Sequence, residues 1–299
     1  MPHATANGIA IYYETHGPED GEPLLLIMGL GAQTTRWSPE LIGRLTAAGH
    51  RVIAYDNRDV GLSEKFDAAG RPDISAVAAA ARDGTKPDVA YDLDDMAADA
   101  AGLLEALGIE RAHIVGASMG GMIAQQTAAN HPERVLSMTS IMSSTGNPRL
   151  PRATPAALAR LNTPAPDPNV DLEAFLASSV EGAKVMAGIY PPDEAQVRAQ
   201  ALGDFKRSYY PAGFQRQYAG VMASGDRRES LKKITAPTVV IHGDADPLVP
   251  VEGGRDTAEN IASAELIVVP GVGHEMPSPV LDVFVEGILK AVSRAKVSA

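Results

Sequence analysis

The chain has 299 residues, no cysteine and a formal net charge of −11 at pH 7. Without cysteine there is no disulfide, thiol nucleophile or thiolate-bound metal, and an acidic chain lacking a basic stripe argues against a nucleic-acid partner. The length suffices for a large core without staples, and the sequence has neither a leader-like start nor an apolar run near the ~20 residues of a membrane span, so a soluble cytoplasmic protein with no membrane partner is expected.

In chain order, Asn7-Gly8 between strand-like residues predicts a hairpin leading into "IAIYYET". The unbroken apolar run "PLLLIMG" reads as a strand buried on both faces, and "RVIAYD" as another, followed by the loop "NRDVGLS". Leu93, Met96, Ala97, Ala100, Leu103, Leu104 and Leu107 share one helical face. Next come a strand at "RAHIVG", a helix at "MGGMIAQQTAANH" and a strand at "RVLSMTSIM". After a long gap follow a strand at "APTVVIHGD", a helix at "PVEGGRDTAENIA", a strand at "AELIVVPG" and a closing helix from Pro279 to about Ala295. Short apolar strands alternating with helices imply an α/β fold with parallel pairing through right-handed crossovers. Residues 144–234 interrupt that rhythm with proline clusters and helix-like pieces, which reads as a helical excursion from a core made of residues 1–143 and 235–299.

Gly116-Ala117-Ser118-Met119-Gly120 fits G-x-S-x-G between a strand and a helix. Small neighbours let a serine occupy a strained turn that lifts its hydroxyl above the sheet. A serine needs a base and a carboxylate behind that base. His274 lies in a glycine-bounded loop straight after the last strand, whereas His3, His16, His50, His113 and His131 fall near strand starts, turns or helix ends, and His242 lies within a strand. Asp244 and Asp246, after "VVIHG", both satisfy the order serine, acid, histidine. For a developing oxyanion the backbone N–H of Met119 sits at a helix start, and Gly29 and Gly31 let the loop around Leu30 offer a second N–H.

"LLLIMGLG", "YDNRDVGLS", "HIVGASMGG", "HGDADPLVP" and "VPGVGH", in that order, resemble the α/β-hydrolase superfamily, and within it the aclacinomycin methylesterase-like serine hydrolases. The resemblance implies an α/β-hydrolase fold, a mostly parallel sheet with helices on both faces and a helical cap at 144–234. It implies Ser118 as nucleophile, Asp246 as the orienting acid, His274 as base, and the N–H groups of Leu30 and Met119 as oxyanion hole. Met28-Gly29 stands where many members have His-Gly, so a bracing polar side chain is missing. Asp56, Arg58 and Ser63 are read as structural, with Asp56 and Arg58 bracing loops at the rim. Met28, Met186, Tyr190, Tyr209 and Phe214 are the expected pocket residues.

The expected activity is therefore that of a carboxylesterase acting on a small-molecule ester through an acyl-enzyme, with no metal and no cofactor. The same triad suits a dione (C–C bond) hydrolase, a lactonase or a perhydrolase, and a non-catalytic small-molecule receptor is a rival from another class. The sequence leaves the oligomeric state, the acyl chain and the leaving alcohol open.

Overall fold

A computed structural model describes residues 2–297. Strands β1 (His3–Ala6) and β2 (Ile9–His16) form the expected hairpin, turned at Asn7 and Gly8, both with positive φ. There follow β3 (Glu22–Ile27), helix α1 (Pro39–Ala47), β4 (His50–Tyr55), α2 (Ile74–Arg82), α3 (Leu93–Ala106), β5 (Ala112–Ala117), α4 (Met119–Asn130) and β6 (Val135–Ile141). After α5 (Pro155–Asn162), α6 (Leu172–Met186), α7 (Glu194–Arg207), α8 (Pro211–Ser224) and α9 (Arg228–Leu231), the chain returns through β7 (Thr238–Gly243), α10 (Glu252–Glu259), β8 (Ala264–Val269) and α11 (Leu281–Val297).

The eight strands make one sheet in the order β1-β2-β4-β3-β5-β6-β7-β8, antiparallel only at β1–β2 and β2–β4. A mostly parallel sheet covered by helices on both faces is the architecture that the motifs imply. Its central strands are continuous apolar runs because both faces are covered. Leu25 and Ile27 of β3 join Ile53, Ile114, Met138 and residues of α3 and α4 on one face, while Leu24 and Leu26 join Val52, Val115, Ile241 and residues of α1 and α11 on the other. The period of two along each strand thus feeds two separate cores. Helix α3 starts with a capping box, in which the Asp92 carboxylate accepts from the Asp95 N–H and the Asp95 carboxylate from the Asp92 N–H.

The sequence reading passed over α1 and α2, which are short surface helices. Both carry start signals: the Ser38 hydroxyl accepts from Leu41 N–H ahead of Pro39, and the Asp73 carboxylate accepts from Ala76 N–H.

Between β6 and β7, which pair in one sheet, the chain forms only helices among its regular elements, α5 to α9, and this stretch is called the insertion below. Its two connecting segments are clasped at a neck. The Arg227 N–H donates to the Thr145 carbonyl at 2.8 Å and its guanidinium to the Ser144 carbonyl at 2.7 Å. A Cβ on Gly146 would lie 2.0 Å from the Gly225 carbonyl oxygen, so the segments touch backbone to backbone.

The sheet positions the site. Strands β4 and β5 flank β3 on opposite sides, so the chain reverses direction across the sheet there, and the carboxyl ends of β3 and β5 lie at a topological switch point, where α/β sheets place their ligand sites.

Candidate active site

Ser118 follows β5 directly and precedes α4, with φ 57° and ψ −121°. A non-glycine residue there is strained and is held by its surroundings. The Ser118 N–H donates to the Ile141 carbonyl at 2.9 Å, and the Ser118 carbonyl accepts from Gly121 and Met122. The flanking glycines are needed for close approach: a Cβ on Gly116 would lie 2.0 Å from the Gly120 carbonyl oxygen, and one on Gly120 would lie 2.0 Å from that of Ile27. Helix α4 therefore begins almost on top of β5 and against β3, and Ser118 stands at the carboxyl end of β5.

His274 lies in the loop after β8. Its Nε2 is 2.9 Å from the Ser118 hydroxyl oxygen and its Nδ1 2.8 Å from Asp246 Oδ2. A carboxylate only accepts, so Nδ1 carries the proton and Nε2 is left to accept from the serine. Asp246 Oδ1 accepts from the N–H groups of Leu248 and Val249, each at 2.9 Å. Burial opposes ionisation of this carboxyl, but His274, His242 and the Val249 N–H hold it well below the usual carboxylate range. The structure thus brings Ser118, His274 and Asp246 into one hydrogen-bonded row. Asp244 lies outside that row, accepting from the Gly271 N–H at 2.6 Å at an exposed position.

His242, which the sequence leaves within a strand, backs the acid. Its Nε2 is 2.7 Å from the Val249 carbonyl oxygen, so it donates there, and it lies 3.5 Å from Asp246 Oδ2.

Neither the Leu30 nor the Met119 N–H meets a backbone or side-chain acceptor among the described residues. Met119 opens α4, where helix polarity favours negative charge. Gly29 adjoins Ser118: a Cβ placed on it would lie 3.1 Å from the serine Cβ. Among the described residues no three His, Asp or Glu side chains are grouped to hold a metal ion.

The loop after β4 is more heavily used than its sequence suggests. Asp56 accepts from the Thr34 and Leu62 N–H groups and pairs with Arg207 of α7 at 2.7 Å. Arg58 pairs with Asp99 at 2.7 Å. The Ser63 hydroxyl donates to the Asp56 carbonyl and accepts from the Tyr12 N–H. Asp59, with φ 68°, accepts from Arg216 of α8, Tyr91 and the Phe66 N–H. Burial raises the Asp59 carboxyl, and the bonds from Arg216, the Phe66 N–H and Tyr91 together outweigh it and bring it below the ordinary range. Asp59, Arg207 and Arg216 are the partners that sequence reasoning missed; nothing short of three-dimensional pairing marks a buried arginine in "GFQRQYAG".

The five expected pocket residues separate. The Phe214 ring lies against Gly31, where an added Cβ would meet it at 2.7 Å. The Met186 carbonyl accepts from the His274 N–H at 2.8 Å, and Tyr190 packs on the apolar cluster that also holds Val269 and Val272. Tyr209 packs edge-on against Phe175 and Phe205 within the insertion. The Met28 side chain, one residue past β3, is buried in the α1-face core with Leu24, Leu26 and Trp37, continuing the alternation that places Leu24 and Leu26 there.

Comparison with known proteins bears on the family and the fold. The family described as "alpha/beta hydrolase fold" matches residues 22–277. The RutD protein of Variovorax paradoxus, named as a candidate carbamate hydrolase, is 31% identical over 95% of this chain and 96% of its own length. The rhodomycin D methylesterase DauP of a Streptomyces species is 28% identical over 91% of each chain. Among solved structures, the meta-cleavage product hydrolase of Pseudomonas fluorescens IP01 superposes with a TM-score of 0.75 at 23% identity, covering 99% of this chain and 98% of that one.

Proposed function

We propose, for a chain that belongs to the α/β-hydrolase family, that it cleaves a carboxylic ester through an acyl-enzyme on Ser118. The observation that carries this reading is the His274 ring standing between the Ser118 hydroxyl and the Asp246 carboxylate. Fold membership alone would leave the chemistry open. The likeness to methylesterases supports an ester as substrate, and the likeness to RutD supports a carbamate as the second acyl class.

In this mechanism the Ser118 proton passes to His274 Nε2 as the oxygen attacks the carbonyl carbon. Negative charge moves to the former carbonyl oxygen, where the Leu30 and Met119 N–H groups donate to it. When the tetrahedral intermediate collapses, the C–O bond to the alcohol breaks and His274 returns the proton to that oxygen. Water repeats the sequence on the acyl-enzyme, releasing the acid and restoring Ser118. Asp246 keeps the proton of His274 on Nδ1 throughout. Residues 144–234 act as a cap, with Phe214, Met186 and Tyr190 as the side chains through which acyl size is read.

The test is turnover of short-chain p-nitrophenyl esters together with labelling by a fluorophosphonate. The protein should turn over the ester, lose that activity in Ser118→Ala with its melting temperature nearly unchanged, and carry the label on Ser118. Label on another serine, or full activity in Ser118→Ala, would remove the assignment; acylation without turnover would point to a receptor.

A further inference from the structure

The loop after β3 has glycine on both sides of Leu30, at Gly29 and at Gly31, the latter with φ 67°. Two glycines leave the intervening amide free to swing unless something fixes the peptide planes around it. Two side chains do so. Asn57 Nδ2 donates to the Met28 carbonyl at 2.9 Å, which holds the Met28–Gly29 plane. Gln217 Oε1 accepts from the Gly31 N–H at 2.8 Å, which holds the Leu30–Gly31 plane. The Leu30 N–H belongs to the single plane between these two, whose Gly29 carbonyl also accepts from the Ala32 N–H at 3.2 Å, so Asn57 and Gln217 fix the two ends of a turn that is already closed by backbone.

Gln217 is suited to this task. It sits on α8 of the insertion, is fully buried, and donates through Nε2 to the Arg58 carbonyl at 2.7 Å. Arg58 is in turn locked to Asp99. One side-chain amide, satisfied at both ends, therefore ties the loop carrying Leu30 to the rigid segment after β4.

We infer that Gln217 is a positioning residue that sets the Leu30 N–H for the oxyanion, so that the insertion governs the rate of the chemical step as well as the choice of acyl group. The inference rests on the serine-hydrolase reading above. On that footing, loss of the Gly31 bond weakens a contact made only as charge develops, and the deficit falls on kcat.

The experiment compares the full-length protein with Gln217→Met, which keeps length and loses both polar contacts, and Gln217→Glu, which keeps an oxygen facing Gly31. Activity is read on acetate and octanoate p-nitrophenyl esters and on the thionoester of the acetate, whose sulfur is a poor hydrogen-bond acceptor. Gln217→Met should lower kcat about 10- to 100-fold on both esters with KM nearly unchanged, somewhat less than deleting an oxyanion donor outright. Its preference for ester over thionoester should shrink in proportion, and Gln217→Glu should regain part of kcat. A loss of folded protein alone would lower the active fraction on every substrate and leave the ester-to-thionoester ratio as it was. An unaltered ratio, a change confined to KM, or unimpaired kcat in Gln217→Met overturns the inference while the unsubstituted protein remains active. Inactivity of the unsubstituted protein with no fluorophosphonate label on Ser118 instead removes the ester reading, and this inference with it.

Discussion

Asp246→Asn removes one charge and leaves the shape of the side chain intact, so its effect isolates what the carboxylate does. In the folded protein Oδ1 accepts from two backbone N–H groups, those of Leu248 and Val249, and Oδ2 faces His274 Nδ1. The amide that replaces it has one oxygen and one NH₂ group. Turning the NH₂ toward two buried donors would cost two hydrogen bonds, each worth about 1–3 kcal/mol when left unmade. The oxygen therefore stays with Leu248 and Val249, and the NH₂ is forced onto His274. That inverts the imidazole: Nδ1 now accepts, Nε2 carries the proton, and the Ser118 oxygen meets a donor where it needs a base. The charge that stabilised the imidazolium disappears as well. From the equivalent change in the serine-protease template, kcat should fall by about 10³- to 10⁴-fold, or about 4–5.5 kcal/mol of transition-state stabilisation. Steady-state kinetics on p-nitrophenyl acetate, with circular dichroism as the control for folding, measures it. A folded variant that loses less than about tenfold would refute the assignment of the acid.

Asp244→Asn should be mild, within about threefold in kcat, since an amide oxygen can accept from Gly271 as the carboxylate does and surface changes seldom cost much; a loss rivalling that of Asp246→Asn would reassign the acid. Gly188→Ala should lower kcat on every ester by about 10- to 100-fold, because the new Cβ would fall 1.9 Å from the Gly271 carbonyl oxygen and must push the His274 loop aside; unaltered kinetics would show the loop to be tolerant. The Asp246 carboxyl is held low in the folded state, so its contribution to stability is complete above the ordinary carboxylate value near ~4 and is lost as pH falls below it toward the folded value. Melting temperature followed from pH 6 to pH 2 should therefore fall less steeply in Asp246→Asn than in the unsubstituted protein, and parallel acid limbs would contradict that linkage.

Much of the sheet was legible because its strands are buried on both faces and read as unbroken apolar runs. The elbow was legible for a related reason, since close backbone contact at Gly116 and Gly120 admits no side chain and leaves a pattern of glycines around Ser118. Helices α1 and α2 were not, as each buries only one or two side chains and so shows little periodicity. Around the site, His274 stood out by its loop, but the choice between Asp244 and Asp246 rested on resemblance, two residues apart on one turn. The supports were invisible for a different reason. Asn57, Arg216 and Gln217 act on groups far away in the chain, as Gln217 does on Gly31, and a hydrogen bond across 186 positions has no local signature.

The clasp at the neck of the insertion has a consequence for how molecules come and go. A lid that swings needs two strands of chain able to bend as a hinge. Here those strands are joined through Arg227, and Asn147 and Thr145 are fastened to Asp256 of α10. On the opposite side Arg207 and Arg216 are paired with the buried Asp56 and Asp59. Swinging the helices away as a body would part both ion pairs and undo the bonds at the neck together. With both sides fastened, side-chain rotation asks less of the structure than a swing of the whole insertion, so turnover is expected to be insensitive to a covalent tether across the neck and sensitive to bulk added at the rim.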